Sequence, residues 1–261
     1  MQFEDKNVLL VASLLLSLTT LNAEASLTPY TSDGKAVVYS SVSNITWTAD
    51  ANLLGTMISN QGFNSVVNAI IAASPVIYDT PNFYDGSYNN YASYSGQYSL
   101  SVNDFNSIGQ TNWFGAQGFV GYLNSIHYGG SSLWVLPSAG ANLLDDYNNY
   151  GQLYYYGGQF GELYYYELGG TTSGNIPNTT TFSNERVYAY WLATEYTPNP
   201  FHAWNFDTYN GNQNDVSKVT QFFAWAVSPG RVAAVPLPSA AWLFGSGLIG
   251  FMGASLKRKL R

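Results

Sequence analysis

Two short segments near the start of the chain, residues 36–39 and 45–48, have strand-like patterns, with apolar and polar residues alternating in the second and Ser-Val-Ser-Asn between them. A period of two places every second side chain on the same face of a strand, and a short polar link typically joins antiparallel neighbours. We therefore expect a β-hairpin here. Residues 52–73, which follow, have a loose helical pattern.

The strongest helical periodicity lies at residues 112–126. Large or small apolar residues recur there at three- or four-residue spacing, namely Trp113, Ala116, Val120 and Leu123. This spacing places them on one face of a helix. Asn112 is a suitable N-cap residue, and Gly129-Gly130 is expected to stop the helical pattern. A shorter helix is predicted at residues 162–164.

Three aromatic-rich segments near the C-terminal side predict strands, at residues 188–195, 203–209 and 222–228. Residues 74–110 and 140–161 are rich in Tyr, Asn, Gly and Ser and predict long loops. The resulting plan is an α+β fold, a single domain with an antiparallel sheet and long Tyr/Asn/Gly-rich loops.

An apolar segment between prolines and basic residues ends the chain. Residues 240–256 carry no charge, and as a helix they would reach about 25 Å, slightly less than a bilayer core. The basic residues that follow are Lys257, Arg258, Lys259 and Arg261. They predict a transmembrane helix with a cytoplasmic C-terminus and an external domain. A buried helix of a soluble domain is the alternative.

The N-terminal residues 1–25 are typical of a signal peptide. Lys6 precedes an apolar and hydroxyl-bearing stretch, and Ala23 and Ala25 fill the small-residue positions before a predicted cleavage site. Export is therefore expected. A retained N-terminal anchor is the alternative, because Glu4 and Asp5 dilute the positive charge of this region.

The end of the chain also resembles a known sorting signal. The sequence Val235-Pro236-Leu237-Pro238-Ser239, the apolar residues 242–248 and the basic end are similar to the VPLPA-type variant of the PEP-CTERM signal. The resemblance implies that residues 233–261 are a tail recognised by an exosortase, a membrane protease of Gram-negative bacteria that make extracellular polysaccharide. The tail would anchor the protein in the inner membrane before it reaches the cell surface or the biofilm matrix. Leu237 and Ser239 depart from the signal, where Glu and Ala are usual.

Composition narrows the functions open to the predicted mature domain. Residues 26–235 contain 13 acidic and four basic residues, and the chain has no cysteine. Such a surface repels phosphate backbones, so nucleic acid is not an expected partner. The absence of thiols excludes disulfides and thiolate metal sites.

A second resemblance covers most of residues 36–232. Six phrases occur in order, Ile45-Thr46-Trp47-Thr48-Ala49-Asp50-Ala51-Asn52, Asn112-Trp113, Trp134-Val135-Leu136-Pro137-Ser138, Tyr166-Glu167-Leu168-Gly169, Tyr190-Trp191-Leu192-Ala193-Thr194-Glu195-Tyr196 and Ala224-Trp225-Ala226-Val227-Ser228-Pro229-Gly230. Together they are similar to the Lcl C-terminal domain family, which is named after an adhesin. The resemblance implies that residues 26–232 form a C-type-lectin-like domain for surface recognition, without catalysis. Val135 and Leu192-Ala193 depart from the family pattern.

Few residues predict chemistry directly. The acid pairs Glu162 with Glu167 and Glu195 with Asp207 are glycosidase candidates by sequence proximity alone. His127 and His202 have no motif support as bases or ligands. Residues 207–215 carry oxygen ligands around a glycine, which fits a calcium loop or, more simply, a hairpin turn. We therefore predict no enzyme activity and no metal or other cofactor, with calcium as the open alternative.

Clustered tyrosines are the candidate ligand-binding residues. Two runs are Tyr154, Tyr155, Tyr156 and Tyr164, Tyr165, Tyr166, and the loop residues Tyr84, Tyr88, Tyr91 and Tyr94 are further candidates. Three successive side chains of a strand or helix cannot all face inward, so part of each run is expected at the surface. The tryptophans are instead expected in the core.

These features favour an exported, adhesin-like surface or matrix protein that binds glycans or polysaccharides. A structural matrix protein that associates with copies of itself is the alternative. A secreted hydrolase is the least favoured reading, because any acidic domain offers pairs of carboxylates.

Overall fold

The fold is known from a computed structural model that describes residues 27–86, 93–140 and 157–233. It is a mixed α/β fold built mainly from antiparallel sheets. The strands are β1 (Leu27–Ser32), β2 (Lys35–Ser40), β3 (Ile45–Thr48), β4 (Val76–Tyr78), β5 (Gln97–Ser99), β6 (Gln110–Thr111), β7 (Ala189–Glu195), β8 (His202–Asp207), β9 (Asn212–Ser217), β10 (Phe222–Phe223) and β11 (Val227–Pro229). The helices are α1 (Leu53–Gln61), α2 (Phe63–Ala73), α3 (Trp113–Ser125) and the short α4 (Gly158–Gly161), which continues as a π-helix, Glu162–Glu167.

The predicted hairpin is confirmed and belongs to a four-stranded sheet in the order β1-β2-β3-β11. Val38 of β2 lies opposite Trp47 of β3. Val37 and Val38 point to opposite faces, and both are completely buried. The sheet is therefore covered on both faces: Val37 packs into a core around the helices, and Val38 packs into a second core around the aromatic residues.

The second sheet has five strands in the order β6-β10-β7-β8-β9. Its β10 pairs in parallel with β7, whereas its other neighbours are antiparallel. The predicted strand at residues 222–228 is divided between β10 and β11, which belong to different sheets. Residues 224–226 connect the two sheets, so one continuous segment contributes a strand to each of them.

The predicted helix at residues 112–126 is confirmed as α3, and Asn112 caps it by accepting a hydrogen bond from the Gly115 amide at 2.8 Å. The loosely helical segment is instead two helices, α1 and α2. Gly62 separates them with a φ of 88°, a left-handed conformation that favours glycine.

The predicted loop at residues 74–110 contains regular structure. Strands β4 and β5 form a small antiparallel sheet there, and β6 pairs with β10 of the large sheet. Each of these strands has three residues or fewer. Such short elements are below the length at which a periodic pattern is visible.

Six tryptophans of the described residues are core residues, as predicted. Trp47, Trp113, Trp134, Trp191, Trp204 and Trp225 are each at most 3% exposed. Trp47 contacts Phe160 and Trp225 edge-on in the aromatic core, whereas Trp113, Trp134 and Trp191 belong to the helical core.

The predicted transmembrane helix at residues 240–256 lies outside the described residues. No helix within the described residues is long and apolar enough to span a bilayer.

Candidate functional site

An open groove lies where the small sheet meets α3 and the large sheet. Its volume is about 740 Å³, and residues 73–78, Trp113, Gln117, Ala193 and Glu195 line it. We call it the Tyr78 groove, because Tyr78 at the end of β4 is 74% exposed. An aromatic ring, an amide and a carboxylate therefore meet beside one groove, a combination suited to ligands rich in hydroxyl or amino groups.

Glu195 also belongs to a cluster of three charged side chains. We call it the Lys218 cluster, because Lys218 contacts both Asp79 and Glu195. The Lys218 ammonium contacts the Asp79 carboxylate directly and lies 2.7 Å from Glu195 Oε2. The side chains of Lys218 and Asp79 have no exposed surface, whereas Glu195 is 26% exposed. Lys218 and Asp79 are therefore shielded from solvent, and the cluster contacts solvent at Glu195.

Backbone contacts fix the members of the Lys218 cluster. Both Glu195 carboxylate oxygens accept from the Thr80 amide at 3.2 Å. The Lys218 carbonyl accepts from the Trp113 amide at 2.8 Å, and the Lys218 amide donates to the Phe201 carbonyl at 2.8 Å. The end of β4, the start of α3 and the end of β9 thus meet at one point.

Aromatic rings and burial determine the electrostatics of the Lys218 cluster. The ammonium lies 4.7 Å from the centre of the Trp113 ring and 5.6 Å from that of Phe114. Burial raises the pKa of the Asp79 carboxyl to about 6, although the Lys218 ammonium beside it favours the charged form. A substantial fraction of Asp79 is therefore neutral just below neutral pH.

Sequence reasoning did not identify the Lys218 cluster. Asp79 and Lys218 are 139 residues apart, and Glu195 is 23 residues before Lys218. Each is an ordinary charged residue in its own segment, and only the sheet topology brings them together. The sequence held one hint of the cluster: Lys218 is one of four basic residues in the predicted mature domain.

The structure separates the second run of candidate tyrosines. Tyr164 is completely buried in the aromatic core, and its hydroxyl donates to the Gly174 carbonyl. Tyr165 is half-buried and donates to the Gly211 carbonyl at 2.9 Å, which holds the π-helix against the β8–β9 turn. Tyr166 is 61% exposed. The expectation that part of the run faces solvent is confirmed, but Tyr164 is a core residue rather than a surface one.

The other candidate tyrosines are placed differently. The hydroxyl of Tyr84 lies 2.5 Å from Ser217 Oγ, and its ring packs against the helical core. Tyr94 is partly buried. The first run and two loop residues, Tyr154, Tyr155, Tyr156, Tyr88 and Tyr91, lie outside the described residues.

Of the two acid pairs chosen by sequence proximity, Glu195 and Asp207 lie too far apart to act as a catalytic pair. Strand register places Asp207 opposite Ala189 and Glu195 opposite Ala203, so the two acids lie at opposite ends of the β7–β8 hairpin. About six residues at ~3.3 Å each separate them, far more than glycosidase chemistry requires. In the other pair, burial raises the pKa of the Glu167 carboxyl to about 7, and the negative charge of Glu162 adds to this effect.

The calcium alternative at residues 207–215 is a β-hairpin turn. Gly211 has a φ of 76° between β8 and β9, and Asp207 Oδ1 accepts from the Tyr209 amide. Asp215 Oδ2 lies 2.6 Å from His202 Nδ1. Within residues 27–86, 93–140 and 157–233, no group of three or more His, Cys, Asp or Glu side chains could hold a metal ion.

The residues predicted for export and sorting, among them Ala23, Ala25, Val235, Pro236 and Lys257, lie outside the described residues. Comparison with known proteins adds no relative: no protein-family profile, curated protein or solved structure matches this chain. The fold and its groove are therefore the structural basis for a functional hypothesis.

Proposed function

We propose that this chain is an exported surface or extracellular-matrix protein that binds polysaccharide in the Tyr78 groove without catalysing a reaction. The observation that carries the proposal is the groove itself, with an exposed tyrosine ring beside the Gln117 amide and the Glu195 carboxylate. Aromatic faces pack on sugar rings, and amide and carboxylate oxygens accept from hydroxyl groups.

The charge of the chain narrows the ligand class. The formal net charge is −7, and Glu195 adds a partly exposed carboxylate to the groove. Polyanions are repelled by such a surface, so neutral or amine-bearing polysaccharides are favoured.

The same proposal includes sorting by an exosortase and a transient membrane anchor. It also includes a relation to the Lcl C-terminal family and to C-type lectins. The sequence phrases quoted above support the sorting and family proposals, and the antiparallel sheets are compatible with a lectin-like fold.

A titration of the exported protein with neutral, amine-bearing and anionic polysaccharides tests this function. We expect binding to the first two classes, and a weakening of about tenfold on Tyr78→Ala, the loss of one aromatic contact. Tyr209→Ala is the matched control, because Tyr209 is 62% exposed and does not line the groove.

Two results would contradict the proposal: absence of binding to every class, or binding that Tyr78→Ala leaves unchanged. Tyr166→Ala in the same titration tests the surface that the sequence predicted. If Tyr166→Ala weakens binding and Tyr78→Ala does not, the ligand binds at the π-helix rather than in the groove.

A further inference from the structure

Ion pairing alone explains the Lys218 cluster poorly. The ammonium and the Asp79 carboxylate are both completely buried, and buried ion pairs lose hydration that their mutual attraction barely restores. Asp79 Oδ1 is buried as well, and it has no hydrogen-bond partner among the described residues. A purely structural pair would be expected to satisfy both carboxylate oxygens.

We propose that Lys218 and Asp79 condense into an intramolecular amide bond, an isopeptide cross-link, with Glu195 transferring the proton. Lys218 Nζ already contacts the Asp79 carboxyl group, and Glu195 Oε2 lies 2.7 Å from the same nitrogen. Nucleophile, electrophile and proton carrier are thus in place in the folded chain. Such positioning replaces an encounter between separate molecules and gives very high effective concentrations.

The surroundings of Asp79 favour the protonation state that the reaction requires of this group. A neutral amine must attack a protonated carboxyl group, and burial disfavours the charged form of the Asp79 carboxyl. The shift of the Asp79 pKa to about 6 agrees with this requirement. The rings of Trp113 and Phe114 lie beside the ammonium and exclude water from it. Transfer of one proton from Lys218 to Asp79 then gives the reactive neutral pair.

The atoms of the step balance without an oxidant or a cofactor. The neutral Lys218 amine attacks Asp79 Cγ, and the new N–C bond gives a tetrahedral intermediate. Glu195 accepts one proton from the nitrogen and returns it to the departing carboxyl oxygen. The C–O bond breaks, and the oxygen leaves with two protons as water. Asn82 Nδ2 donates to Asp79 Oδ2 at 2.8 Å and holds the carboxyl group in place for attack on Cγ.

Asp79 is the electrophile, and Glu195 is the proton carrier, because their surroundings differ. The Asp79 side chain has no exposed surface, whereas Glu195 is 26% exposed and both of its oxygens accept from the Thr80 amide. That contact orients the Glu195 carboxylate, whose Oε2 lies 2.7 Å from Lys218 Nζ.

The bond would join two distant parts of the fold. Asp79 directly follows β4 in the small sheet, and Lys218 directly follows β9 at the edge of the large sheet. The link would fix one wall of the Tyr78 groove to the large sheet and close a long loop of chain, which restrains the unfolded state. In a chain without cysteine, it supplies the covalent restraint that a disulfide cannot.

Peptide mapping of the purified full-length protein tests the proposal. After denaturation, chymotrypsin cleaves beside Tyr78, Phe83, Tyr209 and Phe222, which releases residues 79–83 and 210–222. We expect these two peptides to be joined as one branched species, lighter than their sum by one water molecule. Fragmentation is expected to place the branch at Lys218 and Asp79.

Three variants make the test specific. Lys218→Arg removes the nucleophile and keeps the charge, and Glu195→Gln removes the proton carrier; we expect the branched peptide to disappear in both. Lys35→Arg changes an exposed lysine and is expected to leave the branched peptide at its original yield. Near-ultraviolet circular dichroism of each variant shows whether it is folded.

The proposal is overturned if folded wild-type protein yields the two peptides separately. A branched peptide that contains Glu195 in place of Asp79 contradicts the assignment of the electrophile. A full yield of cross-link in folded Glu195→Gln contradicts the role of Glu195.

Discussion

The Glu167 carboxyl is expected to make the stability of this domain depend on pH. Glu167 lies at the end of the π-helix, where burial raises the pKa of its carboxyl to about 7 from an ordinary value of 4.5. The folded state therefore favours the neutral acid. Stability from this group is fully present below pH 4.5 and is lost as the pH rises through 7, because the unfolded chain releases the proton more readily.

Glu167→Gln replaces the acid by a permanently neutral group of similar shape. We expect this variant to be more stable than the wild type at pH 8, by about 1–2 kcal/mol after allowing for the solvent that reaches the carboxyl group. Near pH 4 the two proteins should unfold alike. Thermal unfolding of both proteins at the two pH values measures this, and an equal difference at pH 4 and pH 8 would show that Glu167 does not titrate as described.

Among the helices, α3 connects the Tyr78 groove with the Lys218 cluster. Its first residue, Trp113, contacts the Lys218 ammonium, and Gln117 one turn later lines the groove. The orientation of α3 depends on Asn112, which caps the helix and donates from Nδ2 to Asp104 Oδ1 at 2.7 Å. By capping α3, Asn112 therefore helps to position both the Tyr78 groove and the Lys218 cluster.

Asn112→Ala removes the cap and one partner of the buried Asp104 carboxylate. We expect a loss of about 2–3 kcal/mol in the free energy of unfolding, measured with urea, since both contacts are buried. Ser125→Ala at the exposed C-terminal end of the same helix is the control, with a change expected within about 0.5 kcal/mol. Similar losses in the two variants would mean that the cap contributes little.

Elements with a strong local signal were predictable from the sequence. Helix α3 has a cap residue and a regular apolar face, and in the β2–β3 hairpin strand β3 has clear alternation of apolar and polar residues. Strand β9 was not predicted, because the sequence Asn-Gln-Asn-Asp-Val-Ser is that of a turn and pairing with β8 alone makes it a strand. The Lys218 cluster was not predicted for a related reason: its members meet only through the pairing of distant segments.

At the scale of the whole molecule, the proposed polysaccharide binding requires the domain to be located where its ligand is. The sequence predicts that place, because residues 1–25 are typical of an export signal and residues 233–261 resemble a sorting tail. In the proposed tail, we expect the prolines and the apolar span to have separate roles. Pro236 and Pro238 would belong to the sequence that the protease recognises, and the apolar span with its basic end would anchor the chain in the membrane.

Surface location is tested most directly by labelling intact cells that make the exosortase, with an antibody against the folded domain. We expect labelling of the wild-type protein at the cell surface. Pro236→Ala with Pro238→Ala should abolish it and leave the protein in the inner-membrane fraction, since the apolar span still anchors the chain. Equal surface labelling of the wild type and the double variant would contradict sorting by this tail.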